Sequence, residues 1–220
     1  MSDPRAALVA IGALPDAEID IGDAALQLAR VDAPGADWRA ARAHLSLLAR
    51  QAVQAAVGID AADIGAQAAA LAKLLGRRHG YAGDAETYDD LANANLIRVI
   101  ERRRGLPVAL GIVWLHAARA AGWAAFGIDH PGHFLIGIAA AGTAVVVDPF
   151  GGGGHLPAEP GLPEMPARAV LLRLQNNIRL RRLAAGDIGG ALACAEDMLR
   201  IAPDAAAAHA AMAELRSRFN

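Results

Sequence analysis

Apolar residues recur at helical spacing through the first half of the chain. Across residues 24–30, 37–57 and 63–78 they fall three and four apart, as in Trp38, Leu45, Leu48 and Val53, or Ile64, Ala68, Leu71 and Leu75. One face of each segment is therefore apolar, and three helices are predicted. Pro34-Gly35 separates the first from the second, and residues 58–61 separate the second from the third. Residues 76–90, with Gly80, Gly83 and the acidic pair Asp89-Asp90, read as an irregular connection. Two more helices follow. Residues 93–103 close on Arg102-Arg103-Arg104, where cations meet the negative end of a helix. In residues 107–121, Pro107 takes a first-turn position that needs no amide donor.

Past Gly122 the period changes to two. Residues 123–128, 133–138 and 143–148 read as short strands, too closely spaced for a crossover helix, so they predict an antiparallel meander. Helices followed by a meander give an α+β domain over residues 1–166. The tail, residues 167–220, returns to helix; Gly186-Asp187, then Ala191, Ala195 and Leu199, then Pro203-Asp204 resemble a tetratricopeptide-like helical hairpin.

The meander carries the candidate chemistry. If residues 139–142 form a four-residue hairpin loop, Ile138 pairs with Thr143, Ile136 lies opposite Val145, and His133 lies opposite Asp148. Directly opposed residues have Cβ atoms about 4.5–5.5 Å apart. A carboxylate there can fix an imidazole tautomer, which is two thirds of a nucleophilic triad; the plainer alternative is a buried, structural pair. The missing third belongs at the start of a buried helix, where a thiol is acidified. The helix that starts after Gly105-Leu106 opens with Pro107, Val108, Ala109 and Leu110, none of which is a nucleophile.

Three separated motifs bear on this absence: Glu101 through Leu110, Pro131-Gly132-His133-Phe134-Leu135, and Val147-Asp148-Pro149-Phe150 followed by glycines. Together they resemble the SirB1 family, a bacterial group with a transglutaminase-like core and a helical, tetratricopeptide-like C-terminal part. The resemblance runs from about Leu71 to Arg218. It implies a transglutaminase/papain-like core in which His133 and Asp148 match the superfamily's histidine and aspartate. The cysteine position falls within residues 107–109 and holds no Cys. What is implied is a non-catalytic module that binds a protein or peptide, with Arg104, Pro107, Ala109 and Gly132 as binding residues. The alternative is a hydrolase or acyltransferase that uses His133 and Asp148 with water or a nucleophile other than cysteine.

Composition narrows the partners. A formal net charge of −2 gives no reason to expect nucleic acid or an acidic membrane. No window is apolar enough for a membrane span, and no secretion signal is evident, so the cytoplasm is the expected compartment. Cys194 is the only cysteine, which excludes an internal disulfide, and no cofactor is implied. His130 and His155 flank the pair at a spacing that matches no metal motif, so no metal is expected. The tetraglycine 151–154 lacks the Lys and Ser/Thr of a phosphate loop. Arg102 to Arg104 can grip a carboxylate or phosphate, but a solvated helix end or an internal ion pair with Asp89 or Asp90 is the plainer reading, and Arg173, Arg179, Arg181 and Arg182 make one tail helix basic.

Overall fold

The structure, a computed structural model, describes residues 3–130, 132–156 and 163–217. The chain opens with α1 (Pro4–Gly12), α2 (Ile21–Asp32), α3 (Trp38–Ala56) and α4 (Ile64–Leu71). Each begins at an aspartate: the carboxylates of Asp3, Asp20, Asp37 and Asp63 accept from first-turn amides, donors that a helix start otherwise leaves without partners. The single helix expected over residues 63–78 is α4 continued by a π-helical segment, Ala72–Arg78. In that segment Gly76 lies so close to Gly152 that a Cβ would meet its carbonyl oxygen at 2.4 Å. The connection that follows contains β1 (Ala82–Gly83), which pairs in parallel with β2 (Arg104–Gly105), a contact the period gave no sign of. Between them α5 (Leu96–Arg102) is capped by Asn95 and ends on Arg103 in the left-handed conformation, φ 58.

The central element is α6 (Pro107–Ala120), buried along almost its whole length, with Trp114 fully enclosed. It packs on α2 and α3 and on two strands of the sheet. That sheet is formed by β3 (Ala124–His130), β4 (His133–Ala140), β5 (Thr143–Asp148), β6 (Gly154–Leu156) and β7 (Glu164–Met165), in the order β6-β5-β4-β3-β7, antiparallel throughout. The two outer strands were not anticipated; the Pro-rich residues 157–162 lie outside the described residues. One ring docks the sheet on α6. Phe134 projects from β4 so closely that Cβ atoms built on Gly111 and Gly127 would stand 2.2 and 2.8 Å from it. Glycine on both sides leaves the space that the ring fills.

The hairpin register differs from the expected one. Ala140 pairs with Thr143 and Ile136 with Val147, because the loop is the two residues Ala141 and Gly142, both at positive φ (50 and 79). Such a turn matches the strands' right-handed twist, which a longer loop is not needed to accommodate. Val145 therefore faces Ile138, and continuing the ladder sets Asp148 two residues away from His133, across a diagonal.

The tail contains α7 (Ala167–Ala184), α8 (Ile188–Ile201) and α9 (Ala206–Ser217). α8 and α9 pack around Ala191, Ala195, Met198, Ala208, Met212 and Leu215. Val170, Leu171, Leu174 and Ile178 of α7 belong instead to the main core with α6. The start of α7 has no cap of its own, and the Asp16 carboxylate accepts from the amides of Ala167 and Arg168, both at 2.9 Å. Among the described residues, no helix is long and apolar enough to cross a membrane.

Candidate functional site

His133 is the first residue of β4 and Asp148 the last of β5. Despite the shifted register, His133 Nε2 and Asp148 Oδ1 are 2.9 Å apart, since a diagonal on one sheet is within reach of a long side chain. The same Oδ1 accepts from the amide of Phe150 at 2.8 Å, which holds the carboxylate in place. With Nε2–H given to Asp148, Nδ1 is the imidazole's remaining nitrogen. The side chains are 28% and 23% exposed, so the pair is neither sealed in the core nor free in solvent.

The imidazole borders a small pocket of about 160 Å3. One wall is the start of α6, where Leu106, Pro107 and Val108 face it. Leu106 supplies no side-chain cap, and helix geometry leaves the Val108 and Ala109 amides without intrahelical acceptors. A second wall carries the aromatic rings of Tyr88 and Phe134, and the Phe150 ring stands edge-on to His133 at 6.0 Å and to Tyr88 at 6.1 Å. The loop carrying Tyr88 is held by Asp84. The Thr87 amide and hydroxyl, aided by the Arg102 guanidinium, hold its carboxyl down at about 2.

α7 closes the pocket. Arg173 donates to the carbonyl of His133 at 2.6 Å and ion-pairs with Asp129. Asn177 donates to the Arg173 carbonyl and accepts from Arg181, which reaches on to Tyr88 and Asp89. Arg173, Asn177, Tyr88 and Phe150 were not identified as site residues from the sequence. The basic stripe of α7 was the only signal, and it is spent on acids of several elements: Asp129, Glu214 of α9, Asp89 and Asp32.

Of the residues expected to bind, Pro107 and Gly132 line the pocket with His133. Ala109 does not: it is fully buried in the core, since one residue further round the helix turns from the pocket to the hydrophobic interior. Arg104 is exposed on β2, bonded to the carbonyls of Gly80 and Arg103, and is not brought to the pocket. Of the alternatives for the arginine run, Arg102 does form an internal ion pair, but with Asp84 and not with Asp89 or Asp90, and Asp90 caps the amide of Ala92. The tetraglycine is a packed turn, because Gly153 (φ 97) lies against Trp114 and Ala72 with no room for a side chain. Cys194 is buried on α8, and burial pushes its thiol up to about 12.

A buried helix whose start faces a His–Asp pair on an antiparallel sheet defines a transglutaminase-like α+β domain. A family model described as the transglutaminase-like superfamily matches residues 39–161, and the chain belongs to that superfamily. It is 29% identical over 157 residues to a UPF0162 protein of Xylella fastidiosa (strain 9a5c), covering 62% of this chain and 56% of the relative. It is 30% identical over 135 residues to a UPF0162 protein of Vibrio cholerae serotype O1, covering 61% and 49%. The chain thus spans about half the length of the curated relatives it matches. No solved structure matches it significantly.

Proposed function

We propose that the chain is a non-catalytic transglutaminase-like module of the SirB1 kind, which binds a protein or peptide segment in the cleft beside His133. The observation that carries this reading is what faces the imidazole: the helix start presents the hydrocarbon side chains of Leu106, Pro107 and Val108. Activated-nucleophile chemistry needs a hydroxyl, thiol or amine within hydrogen-bond reach of the base, and the helix start offers none. What the cleft retains is recognition chemistry. It has amides at a helix start, an asparagine and a guanidinium beside the pair. A pocket of about 160 Å3 is smaller than a typical small-molecule site and suits one side chain of a longer segment.

The test compares the wild type with His133→Ala and with Asn177→Trp, which fills the pocket from α7 and leaves both members of the pair in place. A phage-displayed peptide library reports binding, and amide, ester and glutaminyl model substrates report turnover. The expected result is no turnover by any form, peptides retained by wild type and His133→Ala, and peptides lost by Asn177→Trp. Turnover that disappears with His133→Ala would replace this reading with a hydrolase or acyltransferase using water or another nucleophile.

A further inference from the structure

A second surface lies on the helical half of the molecule and takes no part in the His133 cleft. Between Asp37 and Asp84 the sequence carries six Lys and Arg residues but only two acids, Asp60 and Asp63. Both acids are occupied in turns, where they accept from the amides of Ala62 and Ala66. Most arginines elsewhere meet a carboxylate, but Arg50, Lys73, Arg77, Arg78, Arg103 and Arg104 make no ion pair among the described residues. An uncompensated group of cations in a chain of net charge −2 is a local field of one sign, the electrostatic form of a docking surface.

Two of these cations, Lys73 and Arg78, border a cavity of about 490 Å3 between α3 and the π-helical turn. Lys73 and Arg78 stand at its wall with Gln51 and Gln54, and its apolar part comes from Ile59 and Leu74. Two hydrogen bonds and a ring contact lead from the cavity to Arg103. Gln51 meets His79 Nε2 at 2.6 Å, and the His79 ring lies edge-on to His44 at 5.3 Å. His44 Nδ1 faces Arg103 at 3.4 Å, and Arg103 donates to the Tyr81 hydroxyl at 2.6 Å. Arg104 is fixed beside them on the carbonyl of Gly80. Burial and the neighbouring guanidiniums keep both imidazoles below their ordinary range, so the histidines add no charge of their own near pH 7.

We propose that this face docks an acidic segment of a partner protein, with an apolar side chain of that segment seated in the cavity and its carboxylates against Lys73, Arg77, Arg78 and the arginines beyond. A cavity lined by Ile59 and Leu74 together with the cations Lys73 and Arg78 is complementary to alternating acidic and apolar residues. Nucleic acid fits less well: the patch's one aromatic residue, Tyr81, is fully buried, so no exposed ring is offered for bases to stack on.

The experiment uses the full chain and a fluorescein-labelled peptide of repeated Glu-Glu-Leu, read by anisotropy at low and physiological salt. The expected result is saturable binding that weakens with salt. Lys73→Glu with Arg78→Glu should weaken it at least tenfold, while Arg216→Glu, which reverses an exposed cation on α9, leaves it unchanged. Replacing Glu by Gln in the peptide should abolish binding, and replacing Leu by Ser should weaken it severalfold. If the first double variant does not fold, Arg50→Glu with Arg77→Glu reads the same surface from exposed positions. The proposal is overturned if the Gln peptide binds equally, if Arg216→Glu is as damaging as the patch variants, or if the Ser peptide binds as well as the Leu peptide. It is equally overturned if single-stranded DNA or phosphatidylserine vesicles displace the peptide by occupying the same residues more tightly.

Discussion

A cysteine placed at position 108 reports directly on the polarity of the cleft. Cysteine is smaller than Val108, which is 2% exposed and lines the pocket at the start of α6. A thiolate there would meet the positive end of the helix, worth about 0.3–1 kcal/mol at a surface and up to about 2 in a partly buried setting. At about 1.4 kcal/mol per pKa unit, this lowers a thiol by up to roughly 1.5 units from about 8.5. His133 and Arg173 border the same pocket and act in the same direction, while burial opposes them. The expected net result for Val108→Cys is a thiol titrating between about 7 and 8. The pH profile of iodoacetamide alkylation measures it against a silent background, because desolvation holds the Cys194 thiol up at about 12, out of the range scanned. Adding His133→Ala should move the profile back upward, and Ala109→Cys, facing the core, should not react. A Val108→Cys thiol at or above 8.5, or an Ala109→Cys that reacts faster, would refute the description of the helix start as a polarised wall.

Two further predictions concern stability. Gly111→Ala puts a methyl 2.2 Å from the Phe134 ring, and the ring is shut in between α6 and β3; overpacking of this kind costs about 1–3 kcal/mol, which urea unfolding will show as a lower midpoint. The His44 imidazole is held at about 4 by burial, then by Arg103 and His79, against an ordinary 6.5. Between those values the unfolded chain binds the extra proton, so stability is lost as pH falls from 6.5 towards 4. With the side chain partly exposed, the loss is about 1 kcal/mol rather than the full linkage value. His44→Gln should remove that part of the pH dependence in unfolding curves at pH 7 and 4.5; equal losses in both proteins would refute the assignment.

Helices were legible because their signals are local. Asp37 and Asp63 stand where apolar periodicity begins, and Pro107 marks the start of α6, whereas the helix read from residue 24 starts three residues earlier, after Asp20. The His133–Asp148 contact was legible through residue type and strand order, although the register was not. Whether a loop closes with two residues or four depends on Ala141 accepting a positive φ, and alanine announces no such turn. Pairings that join distant segments left no periodic trace: β1 with β2, β3 with β7, and the Arg173 guanidinium on the carbonyl of His133. The aromatic wall was hidden for the same reason, since Tyr88 and Phe150 meet only after the sheet has folded onto the loop.

α7 ties these distant contributions together, and its removal can be judged in energy. A division at residue 166 marks a change of architecture from sheet to helices, but Val170, Leu171, Leu174 and Ile178 are 0–3% exposed and share the core of α6. Burying each is worth about 1.5–3 kcal/mol, or about 6–12 together as an upper estimate. That is comparable with the whole stability of a typical domain, about 5–15 kcal/mol. Truncation also frees Asp129 and the His133 carbonyl from Arg173 and leaves the Asp16 carboxylate without the amides it caps. A fragment ending at residue 166 should therefore give broad, poorly dispersed amide NMR signals and bind hydrophobic dyes. Adding back a peptide of residues 167–220 should restore dispersion if the loss is one of core and site together. A fragment that melts cooperatively without the peptide would show that the sheet and the first helices bury enough surface on their own, and that α7 only leans on a site already formed.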